Sequence, residues 1–406
     1  MRRTLATACA LLAVLCAIPA SAQIEPPPPE IPHPRLRIGQ LLINPTIALT
    51  NIGFDQNVFN EPDALNPKTD FTFTVTPAVD LRYRLLRTQL AGSVREDLVW
   101  YQTYENQRSA NTTLTGGWWI PFNRVTFTVS GRHADLSDRP GFEIDQRAPR
   151  TENEYGGSVE VRVMPKTFVG LAAHRLGVDF DEGTDVLSTN LRFELNRVTT
   201  TQSASLRYKW TPITSVSLIL ARGQDRFEFS PLRDADSTAV STLVQFDPLG
   251  ILSGSASFGY TSFEPIAPGL PNFNGPTASV NVSYRLMGTM KITVGGVRDL
   301  EYSYDVNRPY YVQTGVTGAF TRSVRGPYDV LVRASTMALA YRDRAGVIVD
   351  VANRVDHVYS YGAGVGYRLG KDSRLGINLD EYRRTSPVPL REYDGLRFGS
   401  SITYGF

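Results

Sequence analysis

The sequence predicts an all-β fold, a transmembrane antiparallel up-and-down β-barrel of about 18 strands, with 16 as the alternative count. Three observations predict it. Stretches long enough to cross a membrane alternate strictly between apolar and polar side chains. Aromatic residues gather near the ends of those stretches. The connections between them alternate between tight turns and longer polar segments.

The first amino acids read as a secretory leader. Arg2 and Arg3 precede an apolar run from Leu5 to Ile18, and Ala20-Ser21-Ala22 is a small-x-small cleavage site before Gln23. The run is shorter than the roughly 20 residues a membrane-spanning helix needs. Nothing later resembles such a helix, so any crossing must be made by strands. The expected organisation is a leader over 1–22, a proline-rich periplasmic tail over 23–40 and the barrel over 41–406. The prolines of the tail (Pro26 to Pro29, Pro32, Pro34) favour a stiff polyproline II spacer.

From Leu41 onward strand follows strand. In Phe71 to Leu85, Phe73, Val75, Val79, Leu81 and Tyr83 oppose Thr72, Thr74, Thr76, Asp80, Arg82 and Arg84. Leu252 to Phe263, Ala278 to Leu286 and Tyr359 to Leu369 repeat the pattern, the last with Gly362, Gly364, Gly366 and Arg368 on its polar side. Trp100-Tyr101, Trp118-Trp119, Tyr208 with Trp210, and Tyr310-Tyr311 supply rim aromatics. Tight turns are expected near 86–88, 121–123, 165–166, 211–213, 247–251, 287–288, 325–327 and 370–372. Longer segments are expected near 57–69, 105–108, 135–150, 180–195, 228–235, 264–273, 305–309, 342–355 and 386–392. Nine hairpins joined by eight turns give the strand count, with 180–200 and 104–109 the ambiguous places. Two stretches break parity, at Arg222 with Arg226 and at Arg298. A midplane arginine facing lipid costs about 2–4 kcal/mol, so a bulge near Ala221, or snorkelling, is expected there.

The chain closes on an alternating strand in which Phe398, Ile402, Tyr404 and Phe406 share one parity. A terminal strand ending on a free Phe resembles the insertion signal read by the barrel-assembly machinery.

Charge and cysteine content exclude several functions. Without Arg2 and Arg3 the 42 basic residues fall to 40, equal to the 40 acidic ones, so no nucleic-acid partner is indicated. Both cysteines, Cys9 and Cys16, lie in the leader, which leaves no thiolate metal site and no disulfide. No cofactor is expected. The polar parity carries the candidate lumen charges Asp80, Arg82, Arg84, Arg95, Asp97, Arg132, Glu160, Arg162, Arg197, Arg207, Arg285, Arg368, Asp380 and Arg397. They could select a hydrophilic, anionic solute or simply pair across strands to stiffen the wall. The acidic loop residues Asp135, Asp138, Asp145, Asp179, Asp181, Glu182 and Asp185 read as solvated rather than metal-binding. The four histidines are scattered, and no Gly-x-Ser-x-Gly elbow, paired-His helix or phosphate loop is present, so no catalytic residue is assigned. A rim enzyme using His133 or His174 is the remaining catalytic alternative.

Several segments carry a family resemblance: Asn51 to Phe59, Leu195-Asn196-Arg197, Leu206 to Thr214, Arg226 to Asp234, Ser253 to Tyr260, Arg298 to Tyr304, and Tyr382 to Phe406. Together they resemble the outer-membrane beta-barrel porin family linked to exopolysaccharide biosynthesis and export. The resemblance implies a pore passing a surface polysaccharide, in contact with outer-membrane lipid and lipopolysaccharide and with a periplasmic polysaccharide export protein. A general or solute-selective diffusion porin is the alternative. An inward-folded constriction loop would then come from 135–150 or 180–195.

Overall fold

The computed structural model describes residues 34–405 other than Pro248, Leu249 and Lys371. The leader, the tetraproline stretch and Phe406 lie outside the described residues. Eighteen strands of 12 to 17 residues form the wall. They are β1 Leu41–Asp55, β2 Asp70–Leu85, β3 Thr88–Tyr101, β4 Ser109–Pro121, β5 Val125–Asp138 and β6 Ala148–Met164. Next come β7 Thr167–Phe180, β8 Arg197–Thr211, β9 Thr214–Phe227, β10 Ala235–Phe246, β11 Leu252–Pro265 and β12 Phe273–Leu286. The last are β13 Met290–Tyr302, β14 Tyr310–Ser323, β15 Tyr328–Arg342, β16 Val355–Leu369, β17 Ser373–Thr385 and β18 Tyr393–Tyr404. Each pairs antiparallel with the next, and β1 pairs with β18, so the sheet closes on itself. Closure leaves no unpaired edge, which a lipid-exposed sheet cannot tolerate. Leu36–Ile38 turns at Gly39 (φ 61) and adds a short rung on β1.

The count is 18, not 16. The ambiguous 180–200 region adds no extra wall strand; before β8 begins at Arg197 it holds a two-residue ladder and the single-turn helix α1, Leu191–Leu195. The other ambiguous place, 104–109, holds a 3₁₀ turn, Glu105–Gln107. All eight tight turns fall at one end of the barrel, with both termini of the described chain, and the nine longer segments fall at the other.

The outer face carries exposed apolar side chains in strand alternation: Leu218 and Leu220 on β9, Phe258 and Tyr260 on β11, Ile377 and Leu379 on β17. Phe398, Ile402 and Tyr404 of the terminal strand belong to it, each about half exposed. An apolar band of this kind around a closed barrel is the surface that lipid covers. A Leu218→Arg substitution is therefore expected to cost about 2–4 kcal/mol. Urea titration of the protein folded into lipid vesicles would show it; an unchanged midpoint would mean that Leu218 does not face lipid.

The expected bulges are absent. Register through Ala221 is continuous against both β8 and β10; at Arg298 it is continuous through the residue against β14 and unbroken up to it against β12, where that pairing ends. Arg222 and Arg226 therefore face outward, near the long-loop end of β9, where both reach Asp236 on β10, Arg226 Nη2 at 2.6 Å. Position near the rim, rather than an extra residue, is what accommodates them: a long arginine snorkels to the polar interface. Register shifts fall elsewhere: next to tight turns at Arg162/Met164 and Lys209/Thr211, and within β1 between Thr50 and Gly53 around Asn51 (φ 55). At Gly53 a Cβ would collide with the Phe398 carbonyl, so the strand that closes the barrel needs glycine there.

Candidate functional site: a charged lumen closed by its loops

All fourteen candidate lumen charges lie on the parity opposite the exposed apolar set, and a barrel of this strand number leaves an aqueous interior. Many are paired along the wall. Arg207 Nε donates to Glu160 Oε1 at 2.8 Å, reaching from β8 to β6 across β7. Arg333 Nε donates to Asp380 Oδ1 at 2.7 Å, from β15 to β17 across β16. Arg374 grips Asp329 with Nε and Nη2, and Arg368 approaches the same carboxylate. Arg95 holds Asp97, Arg132 holds Glu152, and Arg397 holds the fully buried Asp55.

The Arg207–Glu160, Arg333–Asp380 and Arg374–Asp329 pairs each skip one strand, and where that strand is β16 it offers glycine in the path. Gly362 on β16 is in register with both Arg333 and Asp380, and Gly366 with Asp329. A Cβ at Gly362 would meet the Arg333–Asp380 pair, and one at Gly366 the Arg374 guanidinium. The alternating glycines of this strand thus open rows in which flat guanidinium–carboxylate pairs lie against the wall.

The long-loop end is not open. Of the two segments expected to fold inward, 135–150 contains the one that crosses: residues 139–147, between β5 and β6. In a ring of eighteen, the strands halfway round from β5 and β6 are β14 and β15. Phe142 packs on Tyr311, Leu339 and Tyr341 of those two strands. Glu143 accepts from Ser303 Oγ at 2.6 Å and from the Tyr304 N–H. Arg384, 1% exposed, donates through Nη1 to the Phe142 and Glu143 carbonyls and to Asp145 Oδ2, and through Nη2 to Asp356. Arg391 donates to the Glu143 carbonyl. Burial pushes the Glu143 carboxyl above its ordinary range, although Ser303 and the guanidinium groups of Arg391 and Arg384 oppose the shift.

A second element folds over the same mouth. β12 and β13 part above Ala278 and Arg298, while β13 and β14 stay paired to Tyr302 and Tyr310. By parity Tyr310 and Val312 continue the outer face of β14, yet each is 1% exposed whereas Val316 is 56% exposed. They pack with Phe263, Phe273 and Ala235, and Tyr302 meets Phe227 edge-on at 4.9 Å. Those partners are inward-facing residues of β9 to β12, so the hairpin tip bends into the barrel. Arg233 joins it to α1, donating to the Glu194, Ser303 and Asp305 carbonyls. Arg308, on the same tip, binds Asp305, Asp343 and Asp350, and holds the Asp350 carboxyl below its ordinary range.

Sequence reasoning offered 135–150 as an inward loop but missed the residues that hold it and the bent hairpin tip. Arg384 could have been found by extending the β17 parity two steps beyond Asp380 and Tyr382. Glu143 and Arg391 sit in connections without periodicity, where no local signal marks them, and Asp145, expected to be a solvated loop carboxylate, is instead paired with Arg384 and Arg391. Among the described residues the histidines are not gathered into a site. His133 faces outward, its ring within hydrogen-bond distance of Asn153 and Asp135, while His174 lies on the inward parity of β7. Among the described residues no group of three or more acidic, histidine or cysteine side chains could hold a metal ion. Among them, too, no helix is long and apolar enough to cross a membrane.

A closed barrel with an apolar outer band, a charged interior and a loop layer is the architecture of an outer-membrane channel protein. The chain belongs to the family described as "Putative beta-barrel porin 2", which matches residues 35–406. It is a protein of the bacterial outer membrane. No curated protein sequence matches it. Among solved structures it is similar to a BenF-like porin from Pseudomonas fluorescens Pf-5, at 11% identity and TM-score 0.48, covering 90% of this chain and 98% of that one. It is also similar to the outer membrane protein opdK of Pseudomonas aeruginosa, at 11% identity and TM-score 0.46, covering 89% and 98%. OccAB4 of Acinetobacter baumannii gives 9% identity and TM-score 0.47, covering 89% and 97%.

Proposed function

We propose that this porin is a diffusion channel for small hydrophilic solutes, with a preference for anions. One observation carries the preference. Toward the tight-turn end of the lumen the carboxylates Glu160 and Asp329 are already held by arginines. Arg162, Lys209, Arg285 and Lys291 lie on the inward parity there with no carboxylate in ion-pair reach among the described residues. Uncompensated cations in a water-filled passage raise the local anion concentration and repel cations. The loop layer favours small solutes, since a polymer would have to displace every crossing element at once. The exopolysaccharide route rests on the family resemblance alone and ranks second.

Planar-bilayer recording across a potassium chloride gradient tests the reading. The expected reversal potential has the sign of chloride preference, and replacing Arg285 and Lys291 together with glutamine should reduce it. A cation-selective current, or no current under any condition, would overturn it. Unchanged small-anion flux with loss of surface polysaccharide in a deletion strain would instead restore the export reading.

A further inference from the structure

The crossing segment ends in a carboxylate that is bound as a ligand would be bound. Asp145 Oδ2 lies 2.8 Å from Arg384 Nη1 and 3.2 Å from Arg391 Nη2, and Asp145 Oδ1 accepts from the Tyr393 hydroxyl at 2.8 Å. The three donors come from β17, β18 and the turn joining them, on a part of the wall remote from β5 and β6. They form a preorganised set. Arg384 is fixed from its other side by Asp356, and the Arg391 guanidinium lies over the Tyr304 ring. The two arginines are 1% and 6% exposed, and the Nε–H of Arg391, on the same edge as the Nη2 that meets Asp145, is buried without a hydrogen-bond partner. Unmet buried donors are rare and costly, so the set has more capacity for an anion than Asp145 uses. Two guanidiniums and a phenol hydroxyl converging on two oxygens suit a carboxylate, which accepts several charge-assisted bonds at once.

We propose that Arg384, Arg391 and Tyr393 form a carboxylate-binding site, that Asp145 occupies it as a tethered competitor, and that a small free carboxylate displaces Asp145 and releases residues 139–147 from the far wall. The site stands on geometry alone; only the consequence, an opened passage, rests on the diffusion-channel reading. A tethered competitor lowers the apparent affinity for the free one by the fraction of time the site is empty. Removing the tether's charge must therefore tighten binding, the opposite of what loss of an ordinary structural contact would do.

The experiment is calorimetric titration of the detergent-folded full-length protein with sodium acetate, for the wild type, Asp145→Asn, and Asp145→Asn combined with Tyr393→Phe. Acetate is expected to bind Asp145→Asn about tenfold more tightly than wild type, and the added Tyr393→Phe should reverse most of that gain. Asp145→Ser replaces Asp145→Asn should the latter fail to fold. Equal affinity in wild type and the Asp145 variants, or acetate binding insensitive to Tyr393, would overturn the proposal. Bilayer recording then separates the two readings. Longer acetate-dependent openings of wild type, with Asp145→Asn already open without acetate, support site and release together. Tightened acetate binding without current under any condition supports the site while removing the diffusion reading, and a channel whose open time ignores both acetate and Asp145 overturns the release step.

Discussion

Replacing Arg384 with methionine is expected to undock residues 139–147 while leaving the barrel closed. Methionine keeps an unbranched apolar stem but removes every donor. The Phe142 and Glu143 carbonyls and Asp145 lose a shared partner, and Asp356, fully buried, keeps only Arg354 and Ser386. Breaking a buried pair from one side costs about 3–5 kcal/mol, because the remaining charge stays desolvated. The β16–β17 and β17–β18 ladders do not depend on that side chain, so the loss should fall on the loop layer. Trypsin reports it: Arg147 precedes Ala148, whereas Arg139 precedes Pro140 and resists cleavage. Arg384→Met should be cut after Arg147 at a rate at which the wild type survives, with unchanged heat-modifiable mobility on gels. Equal protection would mean that the apolar contacts of Phe142 alone hold the segment.

The same docking carries a pH sense. The Glu143 carboxyl is raised by burial above its value in an undocked, solvated segment. A group with a raised pKa in the docked state stabilises that state fully below its solvated value and loses the contribution as pH rises through the raised one. Docking should therefore be firmest in mild acid and weaken toward neutral and alkaline pH, against the pull of Arg384 and Arg391. Open probability in bilayers should rise as pH is raised above the ordinary carboxylate range, and Glu143→Gln should flatten the profile. A falling profile would show that the arginine pairs, not burial, govern this carboxyl.

The wall was legible in the sequence because a barrel strand is read by parity, and parity is local. Phe73, Val75 and Val79 against Thr72, Thr74 and Asp80 place β2 without knowledge of its neighbours, and the tight turns mark where one strand ends. The expected bulge near Ala221 shows the limit of that rule. Parity said that Arg222 faces outward, and it does; what parity could not say is how far along β9 the lipid stops. The mouth was illegible for a different reason. Tyr310 and Val312 obey the outer-face pattern of β14 and are nevertheless buried, because their hairpin parts from β12 and bends inward. That bend depends on Phe227, Phe263 and Phe273, which are far away in sequence. Contacts across the mouth join residues such as Glu143 and Arg391 that no period connects, so only the closed ring brings them together.

Gly362→Val tests whether the alternating glycines of β16 shape the lumen. By strand propensity alone the change should help, by up to about 1 kcal/mol, since valine suits a pleated surface and glycine does not. The row argues the other way. A Cβ at this position would sit among Arg333 Nε and Cγ and Asp380 Oδ1, so the pair that spans the strand must separate. Hydrogen bonds between charged groups are worth about 1.5–3 kcal/mol. Both side chains remain roughly one-quarter exposed to the lumen, which discounts the loss toward the lower end. A net destabilisation of about 1 kcal/mol is the expected balance in vesicle-based urea titration. The decisive comparison is the same valine in an Arg333→Ala, Asp380→Ala background, where no pair occupies the row. There the propensity term stands alone and the substitution should be neutral or stabilising. Equal destabilisation in both backgrounds would place the cost in backbone close packing rather than in the charge row. In the single variant the separated Arg333 and Asp380 would both reach further into the lumen, so a fall in unit conductance should accompany the loss of stability and vanish in the alanine background.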